Sequence, residues 1–184
     1  MRVLLLVGSI LAIAACDESP REVPVSPRPP VATSDNSVAG VTWDVPATWS
    51  AQPERAMRVA TYELPGNGAA PGECAVFHFP ATGGSVEANI SRWARQFEGS
   101  VAPTIETREV AGLSVTLVSI SGTYLAPGGP MMKSTGKKPD YQLFGAIVPA
   151  PQGNVFFKAT GPAATLAANR EAFDALVASV RPGT

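Results

Sequence analysis

The chain has 184 residues, with 14 Lys and Arg against 15 Asp and Glu and a formal net charge of −1. That balance excludes a nucleic-acid binder, which needs a basic footprint, and a domain held to anionic lipid by charge alone. Two cysteines exclude a disulfide-stapled scaffold.

At the N-terminus Arg2 precedes an apolar run, Val3 to Ala15, which closes as Leu11-Ala12-Ile13-Ala14-Ala15-Cys16. A membrane span needs about 20 apolar residues. This run is shorter, and Asp17, Glu18, Arg21 and Glu22 follow at once. A positive start, an apolar middle and small residues at the end describe a secretory signal over residues 1–15. With a cysteine next, the pattern resembles a bacterial lipobox. The resemblance implies cleavage before Cys16, lipidation of that residue, and a home in the bacterial cell envelope facing the periplasm. One acyl chain holds a protein only marginally, at about 0.8 kcal/mol per buried methylene, so two or three chains make the anchor lasting. Asp17 resembles the enterobacterial signal for retention in the inner membrane, which favours that membrane over the outer one. An ordinary secretory signal, cut and released, is the competing reading.

Residues 16–38 read as the lipidated cysteine and a linker. Pro20, Pro24, Pro27, Pro29 and Pro30 stand there among polar residues. Such a stretch cannot bury enough apolar surface to fold. Its reach is roughly 30 Å as a coil and 75 Å as a polyproline helix. A single α+β domain is expected over 39–181, a length that supports one core.

Residues 41–45 alternate as a strand and stop at Pro46. A second strand is expected over 57–64, ending at Pro65-Gly66, and a third over 73–79. Then the period changes. Val86, Ile90, Trp93 and Phe97 share one helical face, with Ser85 as N-cap and Glu87 in the first turn. Strands resume over 104–110 and 113–120 around the tight turn Ala111-Gly112. Leu113, Val115 and Leu117 mark one face of the second strand, Val118 and Ile120 the other, so it is expected to be central. Residues 141–148 and 154–160 form another hairpin. A last helix, opened by Gly161-Pro162, carries Leu166, Phe173, Leu176, Val177 and Val180 on its buried face. The expected fold is α+β: a mostly antiparallel sheet of about seven strands with two packed helices.

The opening segment Gly40-Val41-Thr42-Trp43-Asp44-Val45-Pro46-Ala47-Thr48-Trp49 is similar to the start of Mog/PsbP-like domains. The aromatic strand Val155-Phe156-Phe157-Lys158 followed by a terminal helix resembles their end. The resemblance implies a sandwich of sheet and helices and a binding or assembly role without catalysis. One branch of that family binds a GTPase and the PsbP branch serves photosystem assembly, but no residue here carries either partner over.

The chemistry-bearing residues are few. With Cys16 lipidated, Cys74 has no disulfide partner and reads as a partly buried strand residue. His78, the one histidine, lies on the same strand face as Cys74 but two pleats away, too far for a Cys–His pair. Zinc needs several convergent ligands, so no metal and no cofactor is expected. Gly83-Gly84-Ser85 leads into a helix N-terminus, an anion site in principle, yet the P-loop pattern is absent there. Thr135-Gly136-Lys137-Lys138 imitates part of it before Pro139 intervenes. The stretch from Tyr124 to Asp140 reads as a long loop, the kind that is often functional. Its Met131, Met132, Lys133, Lys137 and Lys138 are the candidate protein contact, methionine being adaptable. The expected function is a non-enzymatic, lipid-anchored envelope module that binds a protein partner or supports assembly. The alternative is a small-molecule carrier with a pocket between sheet and helices lined by Trp43, Trp49 or Trp93.

Overall fold

The computed structural model describes residues 36–80, 83–99, 102–126 and 136–183. The lipobox, Cys16 and Asp17 lie outside the described residues, as do Met131, Met132 and Lys133. The chain runs β1 (Ser37–Val38), β2 (Val41–Thr42), β3 (Ser50–Ala51), β4 (Ala60–Leu64) and β5 (Gly72–His78). Then come α1 (Val86–Ala94), β6 (Thr104–Val110), β7 (Leu113–Ala126), β8 (Gly136–Val148) and β9 (Val155–Pro162). It closes with α2 (Ala163–Ala168), α3 (Arg170–Ala178) and β10 (Arg181–Pro182). The fold is α+β. Seven strands pair antiparallel in the order β3-β4-β5-β9-β8-β7-β6, and a small sheet has the order β1-β2-β10.

Strand alternation gives the large sheet two buried faces. On the first face Tyr62, Cys74, Val76, Val115, Leu117, Phe144, Ala146 and Phe157 form one cluster with Trp43, Trp49, Leu166, Phe173 and Leu176. α2 and α3 therefore seal this face, together with the segment that follows β2. On the second face Val118, Ile120, Leu143, Ile147 and Phe156 pack under Ile90, Trp93 and Phe97 from α1 and the residues after it. Both faces of β7 are apolar because both are covered; the strand lies second from the sheet edge, between β8 and β6, rather than at its centre. Burying each such aromatic or aliphatic side chain contributes about 1.5–3 kcal/mol.

Local signals explain the boundaries. Ser85 Oγ accepts from the Ala88 N–H at 3.2 Å and caps α1. The β6–β7 hairpin turns through Ala111 (φ 48°) and Gly112 (φ 80°), two left-handed residues that suit a two-residue turn.

Four other expectations differ from the structure. Only Val41–Thr42 of the first expected strand pairs, and it pairs in the small sheet with β1 and β10. β1 falls within the expected linker, so the ordered fold starts before residue 39. The terminal helix is split at Asn169. There a buried side chain donates to the carbonyls of Pro65 (3.0 Å) and Thr165 (2.8 Å) and accepts from Trp49 Nε1 (3.0 Å). The backbone departs from helical dihedrals at that residue (φ −102°, ψ 9°), although its N–H still reaches the Thr165 carbonyl. The expected loop from Tyr124 to Asp140 is strand at both ends, because β7 runs to Ala126 and β8 starts at Gly136; residues 127–135 lie outside the described residues. Among the described residues no helix is long and apolar enough to cross a membrane.

Candidate functional site

α1 covers only part of the second face. Where it does not reach, the same face of the sheet presents Glu73, Ala75 and Phe77 on β5, Lys158 and Thr160 on β9, and Tyr141 on β8. These residues line a groove of about 490 Å³, with Arg58, Tyr124 and Lys138 also in its wall. A second cavity of about 190 Å³ lies against Trp93 and Phe156 and shares Phe77 and Lys158 with the first. Lys158 thus stands where the two meet. The larger volume lies in the range of small-ligand pockets, about 300–1,000 Å³.

Sheet register explains why a lysine fits there. Lys158 is flanked across the strands by Ala75 and Gly145. Both are small, which leaves a trough for the long side chain. Gly145 makes room for α1, since a Cβ there would meet Trp93 Cζ3 at 2.2 Å and displace that ring. The Lys158 ammonium donates to Gln96 Oε1 at 2.6 Å and lies 5.7 Å from the centre of the Tyr124 ring. Gln96 is itself fixed, because its carbonyl accepts from the Leu125 N–H at 2.7 Å and Glu98 N–H donates to the Thr123 carbonyl at 2.8 Å. The segment after α1 is thereby stitched to β7.

The groove is polar and aromatic at once. Arg58 lies 5.8 Å over the Phe77 ring and Lys138 5.3 Å over the Tyr141 ring. Tyr124 and Tyr141 stack at 5.8 Å with 7° between their planes. Glu73 is engaged by Arg55 at 2.6 Å and Arg58 at 2.7 Å. Among the described residues no carboxylate comes within ion-pair distance of Lys158 or Lys138. Desolvation lowers Lys158 to about 8, with Arg58 acting in the same direction and Glu73 against it. Burial raises the Tyr124 hydroxyl to about 12, with Glu73 adding to the effect.

The residues singled out by sequence scatter. Cys74 is fully buried on the first face, and burial, with the nearby Glu73 charge, raises its thiol well above the usual range. His78 is half-buried and its Nε2 lies 3.0 Å from the Gln152 carbonyl oxygen. Trp43 and Trp49 are sealed in the first-face core, where Trp43 Nε1 donates to the Tyr62 hydroxyl at 3.1 Å. Trp93 alone of the three lines a cavity wall on the second face. Lys137 pairs with Glu98, whereas Lys138 faces the groove. Ahead of α1, the Asn89 side chain donates to the Gly83 carbonyl at 2.6 Å and the Ser85 carbonyl at 2.9 Å, while the Ser85 hydroxyl accepts from the Ala88 N–H, so one donor of this N-terminus is capped from within. Among the described residues no three His, Cys, Asp or Glu side chains converge as a metal site.

Sequence reasoning missed Lys158, Arg58 and Glu73. The available signal was Lys158 itself, a charge set between Val155-Phe156-Phe157 and Ala159 in a strand apolar on both faces.

The geometry defines an α+β domain with one closed and one half-open sheet face. No protein-family model matches the chain, and no curated protein matches it either. Among solved structures the chain is similar to a Pseudomonas aeruginosa protein of unknown function, PA94. That likeness has a TM-score of 0.49 at 11% identity and covers 72% of this chain and 96% of the other. The chain is also similar to the cyanobacterial PsbP protein (CyanoP) of Synechocystis. There the TM-score is 0.46 at 10% identity, with 79% and 94% of the two chains covered.

Proposed function

We propose that this protein is a lipid-anchored module of the bacterial cell envelope that carries a small organic ligand in the open groove and does no chemistry on it. The observation that carries this reading is the groove itself: about 490 Å³ on a rigid sheet, walled by tyrosines and Phe77, with Lys158 at its floor. Concave sites of several hundred Å³ that set fixed polar groups beside aromatic surfaces are where proteins hold small molecules. The nucleophile nearest in sequence, Cys74, lies on the opposite face and its thiol is held protonated. The anchor rests on the Leu11–Cys16 pattern. A second reading, a protein contact, is favoured by the exposed start of β8, which carries Lys137 and Lys138 a few residues after Met131, Met132 and Lys133.

Native mass spectrometry of the protein, gently extracted from membranes, tests the carrier reading. A bound species of a few hundred daltons is expected; a bare lipidated chain, or a chain joined only to another protein, contradicts it. The anchor is tested by detergent phase partitioning. The wild type is expected in the detergent phase with a lipidated Cys16, and an unmodified Cys16 thiol there contradicts it.

A further inference from the structure

The charges around the groove do not balance locally. Glu73 is taken by two arginines. Lys158 has Gln96 as its one side-chain hydrogen-bond partner among the described residues, which leaves ammonium hydrogens undirected. Lys138 rests on a ring rather than on a carboxylate. Glu63, the other acid of the groove wall, is exposed on β4, and it is Glu73 that faces Arg58. A desolvated ammonium without a counter-charge costs free energy that an incoming anion would offset. The flat surfaces beside it, Tyr124 stacked on Tyr141 and Phe77 across the groove, suit a planar apolar body.

We propose that the groove selects small organic anions, with an anionic head on the Lys158 ammonium and a planar body against Tyr124, Tyr141 and Phe77. This deepens the carrier reading and depends on it only for the groove being a ligand site. Charge-assisted hydrogen bonds in a desolvated setting are stronger than neutral ones, so the head group dominates selectivity. Lys138, over Tyr141, adds a second positive charge at the wall.

The test uses two probes of one shape, 2-naphthoate and 2-naphthamide, titrated by calorimetry into the full-length protein in non-ionic detergent with matched blanks. Naphthoate is expected to bind about ten- to a hundredfold tighter than the amide at pH 7. Lys158→Met is expected to abolish that preference, so that naphthoate binds no tighter than the amide. In the wild type the naphthoate affinity is expected to fall between pH 7 and pH 9, and the amide affinity to stay level. The groups facing Lys158 are Gln96 and Arg92 from the α1 side, Arg58, Glu73 on β5, Tyr124 on β7, and Tyr141 with Lys138 on β8. Tyr124, raised to about 12, stays neutral across that range. Equal binding of acid and amide, or naphthoate binding that survives Lys158→Met undiminished, overturns the anion assignment and leaves the groove as a ligand site. Failure of both probes to bind overturns it as well. A bare chain in the native mass spectrum, beside Lys158-dependent naphthoate binding, would instead count against the carrier reading alone.

Discussion

The two faces of the seven-stranded sheet are built from the same strands and end differently. The first is closed: two helices and the segment after β2 bury Trp43, Tyr62 and Phe157 almost completely, at 2%, 1% and 0% exposure. The second is closed only beneath α1. Alternation along β9 shows the change in one strand, where Phe157 and Ala159 are fully buried on one side while Phe156, Lys158 and Thr160 pass from covered to open on the other. Apolar burial is concentrated in the face that is sealed. Polar and cationic side chains appear where α1 leaves the sheet uncovered, with Lys158 desolvated at the junction of the two halves.

The largest expected effect comes from the closed face. Phe157→Ala is expected to cost about 3–5 kcal/mol, because the edge-on contact with Trp43 (5.2 Å) leaves a cavity that fixed neighbours cannot fill. A loss below about 1 kcal/mol in urea unfolding would show that this face is not the stability reservoir. On the covered half of the second face, Gly145→Ala is expected to cost about 1–3 kcal/mol, since Trp93 must leave its place against the β8 backbone. The same unfolding measurement checks it, and near-neutrality would mean that α1 lies loosely.

In the open half the expected change is smaller and depends on pH. Folded Lys158 titrates near 8, below the usual 10.5, so unfolding takes up a proton between those values. Its penalty is present in full below about pH 8 and is relieved as pH rises toward 10.5. The raised Cys74 thiol and Tyr124 hydroxyl act the opposite way at higher pH, from about 9 upward, because they ionise first in the unfolded chain. Lys158→Met is therefore expected to be at least as stable as wild type at pH 7, to lose part of that advantage by pH 9 and the rest toward pH 10.5. Urea midpoints that differ by a constant amount across that range would break the assignment. Smallest of all, Cys74 is expected to stay unreactive to a disulfide reagent in the native protein and to react on unfolding.

Much of the fold was legible in the sequence. The face of α1 follows from the spacing of Val86, Ile90 and Trp93, and the two-faced strand β7 from Leu117 against Val118. The helix break was not legible, since Asn169 acts through Pro65 and Trp49, distant in sequence. The groove was equally hidden. It exists because α1 leaves part of the second face uncovered and because Ala75 and Gly145, on two other strands, leave room beside Lys158. Periodicity describes each strand alone; a site assembled from cross-strand neighbours needs register, which one sequence does not state.

The most direct measurement is an NMR titration of the Lys158 13Cε resonance in the ligand-free protein, assigned through Lys158→Met. A midpoint near 8 is the outcome that a desolvated, uncompensated ammonium in the open half-face requires. A midpoint at the ordinary lysine value, about 10.4, would contradict it.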